Sequence, residues 1–185
     1  ELVPLIELIR SAISEAVHYN RVEHGRVPAV PVVGPAVADL IHLLAELLDN
    51  ATAFSPPETP ILVRGNLVGR GLVVEIEDQG LGIPAEQREQ LNTVLSDPPD
   101  FGVHTLSEDT RLGLFVVARL AHRHGIRITL LESAYGGVRA VEGRGVDGRR
   151  VAVRVTVDVD VATGDDRGVL RGRDVVADPQ RDVEL

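Results

Sequence analysis

The stretch from His42 to Phe54, HLLAELLDNATAF, restricts the fold more than any other part of this 185-residue chain. Its apolar spacing predicts one helix. Leu40, Leu43, Leu44, Leu47 and Leu48 cover most of the circumference, which suits a helix lying inside a core. His42, Glu46 and Asn50 fall at i, i+4 and i+8 and stack on the remaining stripe. Buried polar groups destabilise a fold unless they find partners. An acid and an amide aligned on a buried helix therefore point to a ligand or metal that supplies those partners.

Composition narrows what that ligand is. Apolar residues make up 44% of the chain and aromatics only 3%, so the core is aliphatic. There is no Cys, which excludes disulfides, thiolate metal sites and Cys nucleophiles. All 19 basic residues are Arg, so neither a Schiff-base lysine nor a P-loop lysine is available. The net charge of -9 argues against nonspecific nucleic-acid binding. No apolar run reaches the length of a membrane span and no signal peptide is evident, so a soluble chain without direct membrane contact is expected. The absence of Met is expected of a fragment or a processed chain. The length suits one domain with an appendage, residues 1–159 forming the domain and 160–185 an acidic, loosely ordered tail.

Along the chain, residues 3–16 carry apolar residues at helical spacing. Residues 17–23 and 28–33 read as short strands. Gly34-Pro35 opens the central helix and Ser55-Pro56-Pro57 ends it. Residues 60–67 and 71–78 flank a turn and predict a β-hairpin. The second strand runs into Asp78-Gln79-Gly80-Leu81-Gly82-Ile83-Pro84, an acid followed by two glycines that let backbone approach a ligand closely. A short helix is predicted over 84–91. Residues 92–110 have no sustained period, and a loop of that length suits a lid. A helix is predicted from Leu112 to His124, with Asp109 or Thr110 as N-cap and Gly125 as its stop. Strands follow at 126–132, 138–141 and 151–159.

Four of these features suit a nucleotide. An Asn carbonyl oxygen such as that of Asn50 is a hard ligand of the kind Mg2+ takes, alongside several waters. Glu46, one turn earlier, is placed to orient a water or accept a proton. Asp78, at a strand end, suits the exocyclic amine of an adenine, with Gly80 and Gly82 letting the base lie against backbone. Backbone amides at the helix start near Gly113 suit phosphates, with Arg111 beside them as a source of charge. A structural reading competes at each place: Asp-x-Gly commonly opens a turn, and a lone Asn is usually a satisfied core amide. The four together favour the site, except that at Gly113 a packing glycine at a helix start stands level with the phosphate role. His42 is expected to be a structural, hydrogen-bonded histidine, His122 and His124 a solvated helix end, and Arg119, Arg123 and Arg127 a solvated face.

In order, HLLAELLDNATAF, EDQGLGIP and RLGLFVVARLAHRHG resemble the N-box, the G1 box with its D-x-G-x-G pattern, and the G2 box of the GHKL ATPases. Members of that family include sensor histidine kinases, anti-sigma-factor kinases and gyrase B. The resemblance covers roughly residues 5–141 and is nearest to the catalytic domains of histidine-kinase-like sensors from actinobacteria. It implies a two-layer α/β sandwich, the Bergerat-type ATP-binding fold, with a mixed sheet and helices on one face. It implies ATP and Mg2+ as cofactors and Asn50 as the Mg2+ ligand. It further implies Glu46 as the catalytic acid that polarises the attacking group, Asp78, Gly80 and Gly82 around adenine, and Gly113 at the phosphate-binding lid hinge. The implied activity is phosphoryl transfer to a histidine on a separate dimerisation domain, with a response regulator downstream, in the cytoplasm or the cytoplasmic part of a membrane-anchored sensor. Two alternatives stand beside it. One is a serine kinase of the anti-sigma-factor type. The other is a nucleotide-binding interaction module with little turnover, suggested by the single glycine in Thr110-Arg111-Leu112-Gly113.

Overall fold

Helix α2 spans Ala36–Phe54, and Leu43, Leu47 and Leu48 on it are at most 1% exposed. Burying each such leucine stabilises the fold by roughly 1.5–3 kcal/mol. That outweighs the roughly 1–3 kcal/mol lost by a buried polar group without a partner on the same helix. The computed structural model describes residues 2–33, 36–68, 71–80, 83–98, 108–132 and 151–158, with the backbone alone for 33, 71, 108–112, 151–154 and 156–158.

Around α2 the chain forms strand β1 (Leu2–Pro4), helix α1 (Leu5–Glu15), strand β2 (Val22–His24) and strand β3 (Pro31–Val33) before it. After it come β4 (Ile61–Val68), β5 (Gly71–Glu77), helix α3 (Ala85–Ser96), helix α4 (Glu108–Arg123), β6 (Ile126–Glu132) and β7 (Val151–Asp158). Strands β1 and β3 pair as a small antiparallel ribbon. The main sheet has the order β2-β4-β5-β7-β6, with β2 parallel to β4 and every other pair antiparallel. The sheet is therefore mixed, as the resemblance implies.

Register shows which face carries the helices. Gly65 lies opposite Val74, Val74 opposite Val155, and Val155 opposite Ile128, so one row crosses four strands. Val74, Val155 and Ile128 are all buried and join one core with Leu8 and Ile9 of α1, the leucines of α2, Leu91 and Leu95 of α3, and Val117 and Ala118 of α4. On the alternate face Arg64, Glu75 and Thr129 are part-exposed and Arg127 is exposed. This alternation is what a sheet covered on one side requires. Among the described residues no helix is long and apolar enough to cross a membrane.

Four expectations change. Residues 17–23 are not a continuous strand: Tyr19–Arg21 form a 3-10 turn and only Val22–His24 pair with β4. Here the Val17 amide donates to Asp49 Oδ1 at 2.8 Å, and Arg21 reaches the carbonyl of Thr52. These contacts with α2 take the place of ladder bonds. Helix α3 runs to Ser96 and so takes the start of the expected 92–110 loop. Leu91 and Leu95, one turn apart, are buried. Between them Asn92 donates to the Leu130 carbonyl at 3.1 Å and accepts from the Leu130 amide at 2.7 Å. Helix α4 is helical from Glu108, so Asp109 and Thr110 lie within it and neither caps it. Gly125, at φ 62°, follows its end as expected. His124 is not solvated: its Nε2 lies 2.6 Å from Asp39 Oδ2, and Arg123 donates to the same oxygen at 3.0 Å. The expected strand at 138–141 and the tail 160–185 lie outside the described residues.

The His124 and Arg123 contacts hold the Asp39 carboxyl below the ordinary aspartate value of 3.8, His124 contributing most, against the opposing effect of burial. A carboxylate with a depressed folded pKa stabilises the fold fully above its unfolded value, and that contribution is lost as pH falls through the folded value. Acid titration of stability from about pH 4 downward is expected to be shallower for Asp39→Asn than for the wild type. Denaturant midpoints measured at a series of acidic pH values check this.

Candidate functional site

The polar stripe of α2 meets helix α4 at Gly113. A Cβ at position 113 would lie 2.9 Å from Glu46 Oε2, 3.4 Å from Asn50 Nδ2 and 3.8 Å from Asn50 Oδ1. Glu46 and Asn50 of α2 and Gly113, more than 60 positions later on α4, thus share one seam. Glycine is what allows so close an approach, since any side chain here would press on the carboxylate. Asn50 Nδ2 is buried and has no hydrogen-bond partner among the described residues. A buried donor left unpaired is costly and usually marks a function.

The second part of the site lies at the C-terminal end of the same helix. Asp78 follows β5 and is 6% exposed, an unusual position for a carboxylate. Its Oδ1 accepts from the Gly80 amide at 2.8 Å, which closes a tight turn. A Cβ at Gly80 would lie 2.6 Å from the Phe54 carbonyl oxygen. The loop therefore rests directly on the last turn of α2. From Glu46 to Phe54 the helix rises about 12 Å. One helix thus carries an acid and an amide at its middle and a buried carboxylate loop at its end, an arrangement able to hold an elongated polar ligand along its side.

Other expected residues lie differently. Gly113 is in the second turn of α4, beyond its first turn, Glu108–Arg111. The amide of Gly113 is thus inside the helix, and what this glycine provides is close packing against Glu46 and Asn50. Arg111 lies in the first turn of α4, and only its backbone is described. Gly82 lies outside the described residues. His42, expected to be structural and hydrogen-bonded, has a side chain 53% exposed, with Nε2 3.8 Å from Glu46 Oε1. Sequence reasoning missed Arg21, whose guanidinium donates to the carbonyls of Thr52, Pro56 and Thr59. Those partners are 31 to 38 positions away, and no local pattern signals them.

The sequence pattern of the histidine kinase-, DNA gyrase B-, and HSP90-like ATPase family matches residues 36–161, a span that includes the Glu46–Asn50 stripe, the Asp78 turn and Gly113. The chain belongs to this family. A relative of this ATPase domain, nitrogen regulation protein NtrY of Azorhizobium caulinodans, is 31% identical over 146 residues, covering 72% of this chain and 17% of the relative. The sensor histidine kinase GtrS of Pseudomonas aeruginosa is 29% identical over 120 residues, 65% of this chain and 24% of the relative. The chain thus spans about a fifth of these curated relatives. The solved structure of the mycobacterial sensor histidine kinase MprB shares the fold with a TM-score of 0.62 at 22% identity, over 84% of this chain and 96% of that one. The chain is a histidine-kinase-type ATP-binding catalytic domain, as its motifs imply.

Gly113→Ala tests the seam. Alanine is favoured over glycine inside a helix by roughly 0.5–1 kcal/mol, and the group it meets is the movable end of Glu46. Thermal unfolding is expected at or slightly above the wild-type temperature. ATP affinity, measured by calorimetric titration, is expected to fall about tenfold because Glu46 is displaced toward Asn50 or solvent.

Proposed function

We propose that this domain binds Mg-ATP along α2 and passes the γ-phosphoryl group to a histidine on a separate dimerisation domain, within a two-component sensor that also has a response regulator. The observation that carries the reading is Asn50 Nδ2, buried beside Glu46 in the α2–α4 seam and without a hydrogen-bond partner among the described residues. The residues fit a nucleotide-borne Mg2+. Asn50 Oδ1 is a hard oxygen donor of the kind that ion takes, and its Nδ2, without a partner among the described residues, suits a phosphate oxygen. Bound there, Mg2+ would neutralise phosphate charge.

The chain's own groups do the rest. Glu46, 31% exposed at its side chain, polarises the incoming nucleophile and accepts its proton. Asp78 accepts from the adenine amine, and Gly80 and Gly82 let the base lie flat against backbone. Arg111, in the first turn of α4, supplies positive charge to the phosphates. Catalysis of this kind rests on positioning and charge neutralisation. The domain then belongs in the cytoplasm, as part of a membrane-anchored sensor. A second reading, a nucleotide-binding interaction module with little turnover, is favoured by the single glycine of the Thr110–Gly113 segment. ATP binding without transfer to any histidine-bearing partner would select it.

Asn50→Ala is expected to abolish Mg2+-dependent ATP binding while leaving stability within about 1 kcal/mol of wild type, because the Nδ2 it removes has no hydrogen-bond partner among the described residues. Unchanged ATP affinity in calorimetric titration would sink the assignment. Asp78→Asn keeps an oxygen for the Gly80 amide but replaces the other oxygen with a donor. ATP affinity is expected to fall by about tenfold or more, with discrimination against GTP reduced. Equal losses for ATP and GTP would count against the adenine role.

A further inference from the structure

The last four carbonyls of a helix have no intrahelical partner and carry its negative pole. At the end of α2 three of them have distinct fates. The Ala51 carbonyl accepts from the Ser55 hydroxyl at 2.7 Å. The Thr52 carbonyl accepts from Arg21 Nη1 at 3.0 Å. The Phe54 carbonyl lies against Gly80, with no room for a methyl group between them. Arg21 also donates through Nη2 to Pro56 at 2.7 Å, and through Nε and Nη2 to Thr59 at 3.2 and 3.0 Å. One guanidinium thus ties the end of α2 to the loop that leaves it. A permanently charged planar fork suits three converging carbonyls, and a lysine ammonium does not match that geometry.

None of these four bonds reaches Asp78 or Gly80. The connection runs through the Phe54 carbonyl, on which the Asp78–Gly80 turn is seated. A small displacement of the last turn of α2 has no slack to absorb it before it reaches Gly80. We infer that Arg21 is a positioning residue for the nucleobase end of the ATP site, holding the end of α2 so that the buried Asp78 carboxylate keeps its aim. This rests on the ATP-binding reading above. Arg21 acts through its bonds to Thr52, Pro56 and Thr59.

The test is calorimetric titration of the whole chain with Mg-ATP and Mg-ADP, joined to hydrogen exchange of the free protein. A wild-type chain that binds neither nucleotide overturns the ATP-binding reading, and the inference with it. In a wild type that binds, Arg21→Lys is expected to weaken ATP and ADP by the same factor, about tenfold, because the shared base end is loosened. The Gly80 amide is expected to lose protection while the amides of β6 keep theirs. In Arg21→Ala, millimolar guanidinium chloride is expected to restore part of the affinity. Unchanged affinity in either folded variant overturns the inference alone. So does a loss much larger for ATP than for ADP, which would place the effect at the phosphates. Loss of protection spreading through β6 also overturns it, since Arg21 would then serve general stability.

Discussion

The structure depends on the burial of one leucine-rich helix between a sheet and two other helices. With Leu43, Leu47 and Leu48 sealed in the core, α2 has little freedom to rotate or slide. Interiors packed at crystal-like density transmit such constraints instead of absorbing them. The stripe bearing Glu46 and Asn50 must then face the α4 seam, and there a glycine at 113 leaves the polar groups room. The site is a consequence of how the core packs.

Both ends of α2 are also tied. Near the start, Asp39 holds His124 and Arg123 at the far end of α4. In the last two turns, Asp49 takes the Val17 amide and Thr52 takes Arg21. Functional groups placed on a rigid element are more precisely held than groups on loops. The chain adds rigidity on either side of the two residues that most need a fixed aim, and among the described residues Asn50 Nδ2 has no hydrogen-bond partner.

Much of this was legible in the residues, and what was not has a common physical cause. The hairpin, α2, β6 and β7 each carry a clear period, and the order of motifs carried the family. What stayed hidden was set by partners far along the chain. Helix α3 continues to Ser96 because Leu91 and Leu95 bury and Asn92 finds Leu130, 38 positions away. Residues 19–21 turn because Arg21 finds α2 and the loop after it. His124 looked like a solvated helix end because Asp39, 85 positions earlier, cannot be seen from its neighbours. At the site, the stripe and the acidic turn were visible as patterns. That Gly113 packs on Glu46 and Asn50, and that Gly80 rests on Phe54, required the fold.

The Asn92 contact has a consequence beyond the length of α3. Among the described residues strand β6 lies at the margin of the sheet, and Leu130 presents both its amide and its carbonyl away from β7. A carboxamide side chain offers the same donor and acceptor pair as a peptide unit. Asn92 therefore stands where the backbone of a sixth strand would stand, and answers Leu130 as that strand would. A free sheet margin invites pairing with another chain. Here a single side chain imitates the neighbour that would otherwise be recruited, and the margin is closed at that point without adding a strand.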